Sequence, residues 1–176
     1  NDNEGTEAEI RAQYEKDWNE WPASSGAPFK DIDNNGIYNP SVDIPGVPDA
    51  HQTIWFVAND TDPDATKFMY GSNPMGIEEQ VTIWGYKSDT PLNDMLFKKY
   101  KIINKSDSAF SDLYFSMWND PDLGNASDDF VGCDTLLQLC YVYNANKFDQ
   151  QYKNSPASAG FTLLQGPIVD GDPADI

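Results

Sequence analysis

Histidine and arginine are almost absent from the 176-residue chain, which has one of each, His51 and Arg11. Catalysis by a Ser-His-Asp or Cys-His arrangement would therefore depend on His51, and a zinc site built from several histidines is excluded. Because His51 directly precedes a predicted strand, we expect it to be a structural or surface residue. No apolar run reaches the roughly 20 residues that cross a bilayer, so the sequence predicts no membrane insertion.

Basic residues are also scarce, with 11 Lys+Arg against 29 Asp+Glu and a net charge of −18. A surface this negative repels phosphate, which argues against nucleic acid and anionic membranes as partners. The 39% hydrophobic and 13% aromatic content nevertheless predicts a folded chain rather than a disordered one. The chemistry that remains belongs to carboxylates, amides and aromatic rings, which bind Ca²⁺ and sugars.

The two cysteines, Cys133 and Cys140, lie seven residues apart. If one extended strand joins them, they are about 20 Å apart, which is beyond the reach of a disulfide. We therefore expect two separate, partly buried thiols. A local bridge across a tight turn is the alternative.

One helix is predicted at the N-terminus, over residues 6–21. Thr6 and Glu9 form a capping-box pattern, and Pro22 ends the segment. An aromatic stripe that includes Tyr14 and Trp18 makes residues 1–22 an amphipathic helix, which we expect to dock on the body of the domain. Residues 23–50 are a Pro-rich loop segment.

A β-sheet body is predicted over residues 51–176, within one structural domain. Six segments rich in β-branched and aromatic residues alternate with turn clusters and have no helical pattern between them. We expect a mainly β fold: an antiparallel β-sandwich, Ig-like or jelly-roll-like, with one N-terminal helix and long calcium-binding loops. The first strand, a continuous apolar run, is expected to be buried on both faces. The predicted strands are Gln52–Ala58, Gln80–Tyr86, Leu96–Ile103, Leu113–Trp118, Leu136–Tyr143 and Phe161–Leu164.

The segment Asp31–Asp43 has the opening of an EF-hand-type calcium loop, DxDxNG. Oxygen-bearing side chains stand at positions 1, 3 and 5, Gly36 supplies the bend, and Tyr38 is placed to anchor the loop. Position 12 is Val42 instead of the usual glutamate, and the carboxylate follows one residue later. The predicted Ca²⁺ ligands are Asp31, Asp33, Asn35, the Ile37 carbonyl and Asp43, and the alternative is an Asx-rich turn that solvates the surface.

A second acidic segment, Asp120–Asp134, lies between two predicted strands. Its crowded carboxylates would repel one another unless a cation relieved the repulsion. The alternative is an exposed loop whose carboxylates point apart. The predicted ligands of this second calcium site are Asp120, Asp122, Asn125, Asp128, Asp129 and Asp134.

Weaker signals accompany these two segments. Asn59–Asp64 is a third acidic cluster, and Asp170–Asp175 is an acidic tail that either completes a neighbouring site or belongs to a linker. Glycosylation sequons occur at Asn59, Asn104 and Asn125. Aromatics interleaved with polar residues in strands are more often part of a core, which we expect here, and a stacking platform for sugar rings is the alternative. They are Trp55, Trp84, Tyr86, Trp118, Tyr141 and Tyr143.

Several stretches resemble a region of large secreted proteins of the Bacteroidota and related bacteria, which often end in a type IX secretion sorting domain. They are DIDNNGIYNPSVDIPGVPDAHQTIWFVAND, YGSNPMGIEEQVTIWGY, MLFKKYKIINKS, MWNDPDLGNASDDFVGCDT and FTLLQGPIV, within residues 30–170. The resemblance implies a location and a modular context rather than an activity. The start at Asn1, without Met or a signal peptide, agrees with a mature or excised piece of a longer protein.

The sequence thus predicts a calcium-stabilised β-sandwich module of a secreted or cell-surface protein, with a structural or adhesive role. Expected partners are glycans, other surface proteins or further copies of the chain. A carbohydrate-binding module is the alternative. A glycoside hydrolase is less favoured, because metal-loop patterns lower carboxyl pKa values whereas the catalytic acid needs a raised pKa.

Overall fold

The computed structural model describes residues 5–168, which fold into two compact units, the first ending at Asp112 and the second beginning at Leu113. Within those residues the protein is mainly β, with three antiparallel sheets and two α-helices, which confirms the predicted class. The sequence pattern gave no sign of the boundary at residue 112, and the sandwich arrangement stays a prediction. The elements are α1 Glu7–Asn19, β1 Phe29–Lys30, β2 Ile44–Pro45, β3 Gln52–Asn59, α2 Pro63–Tyr70, β4 Ile77–Gly85, β5 Leu96–Asn104, β6 Asp129–Asp134, β7 Leu139–Asn144 and β8 Ser158–Thr162.

Helix α1 begins as predicted. The backbone N–H of Glu9 donates to the Thr6 hydroxyl, and the Glu9 carboxylate accepts from the Thr6 backbone N–H. None of the helical residues is buried, and Tyr14 is exposed. The helix is instead attached at its C-terminal end, where the Trp18 indole N–H donates to the Pro40 carbonyl oxygen at 3.0 Å.

The first unit contains the sheet β3–β4–β5, with β4 in the centre. The predicted strands over 52–58 and 96–103 are confirmed, and β4 begins three residues earlier than predicted. The expectation that the first strand is buried on both faces is wrong. Strand β3 lies at the edge of its sheet, and Ile54 and Phe56 on one of its faces are exposed.

Helix α2 was not predicted, although its signals are in the sequence. Asp62 is the N-cap, Pro63 is the first helical residue, and Gly71 ends the helix in the left-handed conformation. Asp62 and Pro63 belong to the segment that the sequence analysis treats as a third acidic cluster, so their role as a helix start was missed.

The second unit contains the sheet β6–β7–β8. The predicted strand over 136–143 begins only at Leu139, because residues 135–138 form the turn of a hairpin with the unpredicted strand β6. Leu136, at the tip of that turn, is 94% exposed. The last strand, β8, begins three residues before its predicted start and overlaps the predicted strand only at its end.

The predicted strand over 113–118 is wrong. These residues form no regular secondary structure, and Trp118 is 82% exposed. High β-propensity alone does not make a strand, because a strand also needs a partner for its backbone hydrogen bonds.

Candidate metal site

The Asp31–Asp43 loop is closed at its base by the β1–β2 ladder. Phe29 pairs with Pro45 and Lys30 with Ile44, immediately outside the two ends of the loop. The Gly46 N–H donates to the Pro28 carbonyl oxygen at 2.8 Å and extends the closure. The ladder therefore brings the beginning and the end of the acidic segment together.

Three carboxylates converge inside this loop. Asp31, Asp33 and Asp43 each offer an oxygen, and these oxygens lie within 4.8 Å of one another. Among residues 5–168, no other group of three His, Cys, Asp or Glu side chains meets in this way. A set of carboxylate oxygens at this spacing is suited to a hard cation such as Ca²⁺.

Asp43 is the structural anchor of the cluster. It is only 1% exposed, and it accepts from the backbone N–H of Ile32 at 2.9 Å and from that of Asn39 at 2.7 Å. The Asp43 N–H in turn donates to the Asn39 carbonyl oxygen at 2.7 Å. This turn over residues 39–43 explains why the acid at the end of the motif stands one position later than in an EF-hand loop.

Asp31 is held from the other side of the loop. Its carboxylate accepts from the Gly36 N–H at 2.7 Å and from the Asn35 N–H at 3.2 Å. The hydrogen bond from Gly36 is the main cause that keeps the pKa of Asp31 below its usual value. Gly36 itself has φ +76°, so the bend uses the left-handed region that glycine adopts without strain.

The remaining predicted ligands lie in the same loop. Asn35 donates from its side-chain amide to Asp33 at 2.9 Å and accepts from the Ile37 N–H at 2.6 Å. Tyr38 anchors the loop as expected, because its hydroxyl donates to the Trp18 carbonyl oxygen at 2.6 Å and its ring packs edge-on against Phe29. The loop is thus fixed to both α1 and β1.

The Asp120–Asp134 segment uses its polar side chains differently. Asp134 accepts from two N–H groups of the hairpin turn, at 2.9 and 3.1 Å. Asp128 accepts from the Asn146 side-chain amide at 2.6 Å, and Asn125 accepts from the Ser127 N–H. Asp120 and Asp122 are exposed. These residues therefore support separate local turns rather than one shared centre.

Asp129 is the most unusual acid of this second segment. Its Oδ2 atom accepts from the Leu123 N–H at 2.8 Å, whereas Oδ1 is buried without a hydrogen-bond partner. A buried unpaired carboxylate oxygen is costly and normally receives a water molecule or an ion. It is one atom, however, and not a set of converging ligands.

Sequence reasoning missed Asp149, which organises this part of the second unit. The carboxylate is buried and accepts from the backbone N–H groups of Asn125, Gln151 and Tyr152, at 3.1, 2.7 and 2.8 Å. The hydrogen bond from Tyr152 is the main cause that lowers the pKa of Asp149. An isolated Asp between Phe and Gln gives no motif by which it could be found.

The third acidic cluster, over residues 59–64, supports local structure. Asp62 caps α2, and Asp60 accepts from the backbone N–H groups of Met75 and Ile77. Burial opposes ionisation of Asp60, but these bonds outweigh it and the pKa is lowered. The acidic tail Asp170–Asp175 lies outside the described residues.

The predicted aromatic platform is divided between the two units. In the first, Trp84 stacks on Phe97 with ring centroids 5.6 Å apart, and Tyr86 packs edge-on against the same ring. Trp55 is half-buried on β3, and His51, which directly precedes that strand, is exposed. Trp118, Tyr141 and Tyr143 belong to the second unit.

Tyr141 and Tyr143 belong to an aromatic row that the sequence did not define. Phe130, on β6, lies 6.1 Å from Tyr143, whose ring centroid is 6.0 Å from that of Tyr141. All three side chains are exposed on one face of the β6–β8 sheet. The row is the part of the surface that is suited to stacking on an apolar ring face.

No protein-family model, no curated protein and no solved structure matches the chain. Over residues 5–168, neither α1 nor α2 is long and apolar enough to cross a membrane. The geometry of the acidic loops is therefore the basis for any functional conclusion.

Proposed function

We propose that the chain is a calcium-stabilised β-sandwich module of a secreted or cell-surface protein, with a structural or adhesive role. The observation that carries this proposal is the convergence of Asp31, Asp33 and Asp43 inside a loop that is closed at its base. Spacing, backbone bend and final placement of the three acids all agree with a single cation at their centre.

The loop offers a suitable set of oxygen donors. Asp31, Asp33 and Asp43 supply negative charge. In this proposal the neutral oxygens come from the Asn35 side chain and the Ile37 carbonyl, which lie in the same loop. Ca²⁺ takes six to eight oxygen ligands, and water completes such sets. A bound ion would relieve the repulsion among the three carboxylates and fix the loop between α1 and the β1–β2 ladder.

A structural role is favoured over acid catalysis by the direction of the pKa shifts. Among residues 5–168, the carboxyl groups with a clearly shifted pKa all have it lowered: Glu9, Asp31, Asp60 and Asp149. A glycosidase needs an acid that stays protonated near neutral pH, which requires a raised pKa. These carboxylates are instead prepared to remain charged and to bind cations or backbone N–H groups.

The proposal is tested by calcium removal. We expect a chelator to lower the melting temperature by several degrees, and elemental analysis of the dialysed protein to find about one Ca²⁺ per chain. An unchanged melt together with no bound metal would falsify the proposal.

Tb³⁺, a luminescent substitute for Ca²⁺, locates the ion. Trp18 lies beside the loop through its bond to Pro40, so excitation of tryptophan should sensitise Tb³⁺ emission that Ca²⁺ then quenches by displacement. Trp18→Phe should weaken the emission, whereas Trp84→Phe, in the sheet, should not. Equal emission from both variants would place the ion elsewhere.

Carbohydrate binding is the second candidate, and the exposed row of Phe130, Tyr143 and Tyr141 favours it. Aromatic faces of this kind stack on the apolar faces of sugar rings. A glycan array should then show binding that Tyr143→Ala removes and that Tyr70→Ala, an exposed tyrosine of α2, retains. Silence across a broad array would leave protein partners or self-assembly as the adhesive mode.

The extracellular or bacterial cell-surface location is part of the same proposal. It is supported by the resemblance of residues 30–170 to secreted proteins of the Bacteroidota. Ca²⁺ is abundant outside cells, where loops of modest affinity are occupied.

A further inference from the structure

Cys133 and Cys140 lie directly opposite each other on the β6–β7 hairpin. The antiparallel register pairs the two residues, so their side chains leave the sheet on the same face. Opposed residues in an antiparallel pair have Cα atoms about 4.5–5.5 Å apart, which lies within the range of about 4.4–6.8 Å found in disulfides. The extended-strand argument for separated thiols therefore fails, because the chain turns back between them.

The register of this hairpin is fixed by several contacts. At the turn, Asp134 accepts from the N–H groups of Leu136 and Leu137, and the Thr162 hydroxyl on β8 donates to the Gln138 carbonyl oxygen at 3.1 Å. On the opposite face, the Tyr141 ring covers Gly132, where a Cβ atom would meet it at 2.4 Å. A slip by one residue would break these contacts and place the thiols on opposite faces.

Both thiols are exposed, so the expectation that they are partly buried is wrong, and each is the other's neighbour across the ladder. A side-chain hydrogen bond with Cys140 is the main cause that raises the pKa of the Cys133 thiol. Because the thiolate is the nucleophile, the Cys133 thiol reacts faster as the pH rises.

We propose that Cys133 and Cys140 form a cross-strand disulfide when the protein meets a disulfide donor, such as glutathione disulfide or a thiol–disulfide oxidoreductase. The thiolate of one cysteine attacks the donor disulfide and releases one donor thiol. The second cysteine then attacks the resulting mixed disulfide and releases the other donor thiol. The two protein thiols lose two protons and two electrons, and the donor disulfide takes them up and is reduced to two thiols.

The bridge would tie the tip of the second unit, whereas the calcium loop lies in the first. The two proposals can therefore fail separately. A stable bridge would also indicate that the protein functions in an oxidising compartment, because disulfides persist outside the cytosol.

The test is equilibration of the reduced 176-residue protein in glutathione redox buffers, followed by acid quenching, alkylation and mass spectrometry. We expect a monomeric product that is two hydrogens lighter and is not alkylated, and digestion without reductant should give a Cys133–Cys140 linked peptide. The rate of bridging should rise with pH. Two free thiols or two glutathione adducts at equilibrium would overturn the proposal.

A matched control moves one thiol along the same face. The double variant Val131→Cys/Cys133→Val keeps the composition, and Val131 is 83% exposed, so the change should be tolerated. The thiols are then diagonal neighbours, about 7–8 Å apart. We expect this variant to need a roughly tenfold more oxidising buffer, because strained bridges are easier to reduce. Equal bridging in both proteins would show that flexibility, and not register, brings the cysteines together.

Discussion

The Asp31–Asp43 loop has three carboxylates and the Asp120–Asp134 segment has five, but the segment with more acids has the less suitable metal site. In the first loop three acids converge within 4.8 Å. In the second, Asp128, Asp129 and Asp134 bind separate N–H and amide groups, and the other two acids are exposed. The difference lies in the backbone. The β1–β2 ladder closes the first loop, while the second segment runs directly into β6.

The comparison teaches that acid density is a weak predictor of a cation site. Like charges that lie close in sequence avoid one another when each finds its own N–H donor. They converge only where the chain is closed around them, as at Asp43, which returns to the backbone of Ile32. The predictions below test this difference, from the largest expected effect to the smallest.

Replacing Asp43 should have the largest effect. Asp43→Ala removes a buried carboxylate and leaves the part-buried N–H groups of Ile32 and Asn39 without their acceptor, and we expect the free energy of unfolding to fall by roughly 2–4 kcal/mol even without calcium. The matched variant is Asp134→Ala, which also removes an acceptor of two N–H groups. It should cost less, because water can reach that exposed turn.

Denaturant unfolding in chelator measures both variants, and hydrogen exchange of peptides locates the loss. For Asp43→Ala the loss should lie within residues 28–46. Equal effects of the two substitutions would remove the distinction between a closed acidic loop and an open one.

Calcium-dependent stability should separate the two regions next. A ligand that binds only the folded state stabilises by about 2.7 kcal/mol at 100 times its Kd. We expect Asp33→Ala to abolish most of this increment and Asp128→Ala to leave it intact, because Asp33 belongs to the converging set and Asp128 does not. Melting temperatures with calcium and with chelator measure the increment. Loss of the increment in Asp128→Ala would restore the second segment as a calcium site.

Two of the left-handed glycines, one in each acidic segment, provide a backbone version of the same comparison. Gly36 and Gly124 have φ +76° and +79°, so alanine at either position is strained by about 1–2 kcal/mol. A Cβ atom at Gly36 would meet nothing within 4 Å, whereas one at Gly124 would lie 2.3 Å from an oxygen of Asp149. Gly124→Ala should therefore destabilise clearly more than Gly36→Ala, because the buried carboxylate must move.

Denaturant midpoints give the order of these two variants. The Gly36→Ala protein should also retain calcium-dependent stabilisation, since the added methyl group meets no ligand. Equal midpoints would mean that Asp149 is not fixed by its three backbone contacts.

Part of this arrangement was predictable from the sequence. Asp31, Asn35 and Gly36 stand at the spacing of a calcium loop, and the loop forms with the predicted bend. The capping box at Thr6 and Glu9 was equally clear, because both ends of its hydrogen bonds lie within four residues. Such local signals need no knowledge of the rest of the fold.

Helix α2 was missed despite local signals, whereas the other failures depend on distant pairing. Strand β6 lies inside the segment whose acids predict a calcium loop, and its turn includes the first residues of the apolar run that predicts one strand from Leu136. Asp149 was missed because its partners include Asn125, which is far away in the sequence. Register and long-range caps depend on tertiary structure, which composition and periodicity do not specify.

Acid should produce the smallest effect and should act on both units. Backbone hydrogen bonds hold the pKa values of Asp31 and Asp149 below the ordinary 3.8. The main cause at Asp31 is the hydrogen bond from the Gly36 N–H, and at Asp149 it is the hydrogen bond from the Tyr152 N–H. A lowered folded-state pKa contributes stability that is complete well above pH 3.8 and is lost as the pH falls through the folded-state value. We therefore expect stability in chelator to decline only below about this pH.

Thermal melts across that range, with Asp31→Asn and Asp149→Asn beside the natural protein, measure the decline. Each substitution should reduce the loss of stability at low pH in its own unit, because an amide oxygen accepts the same N–H groups without titrating. Calcium should preserve stability in the natural protein until the ligands protonate, and it should do so in Asp149→Asn but only weakly in Asp31→Asn. If calcium protected both variants equally against acid, Asp31 would not be a calcium ligand and would hold its loop through hydrogen bonds alone, as Asp149 does. The two regions would then differ in the closure of the backbone but not in their chemistry.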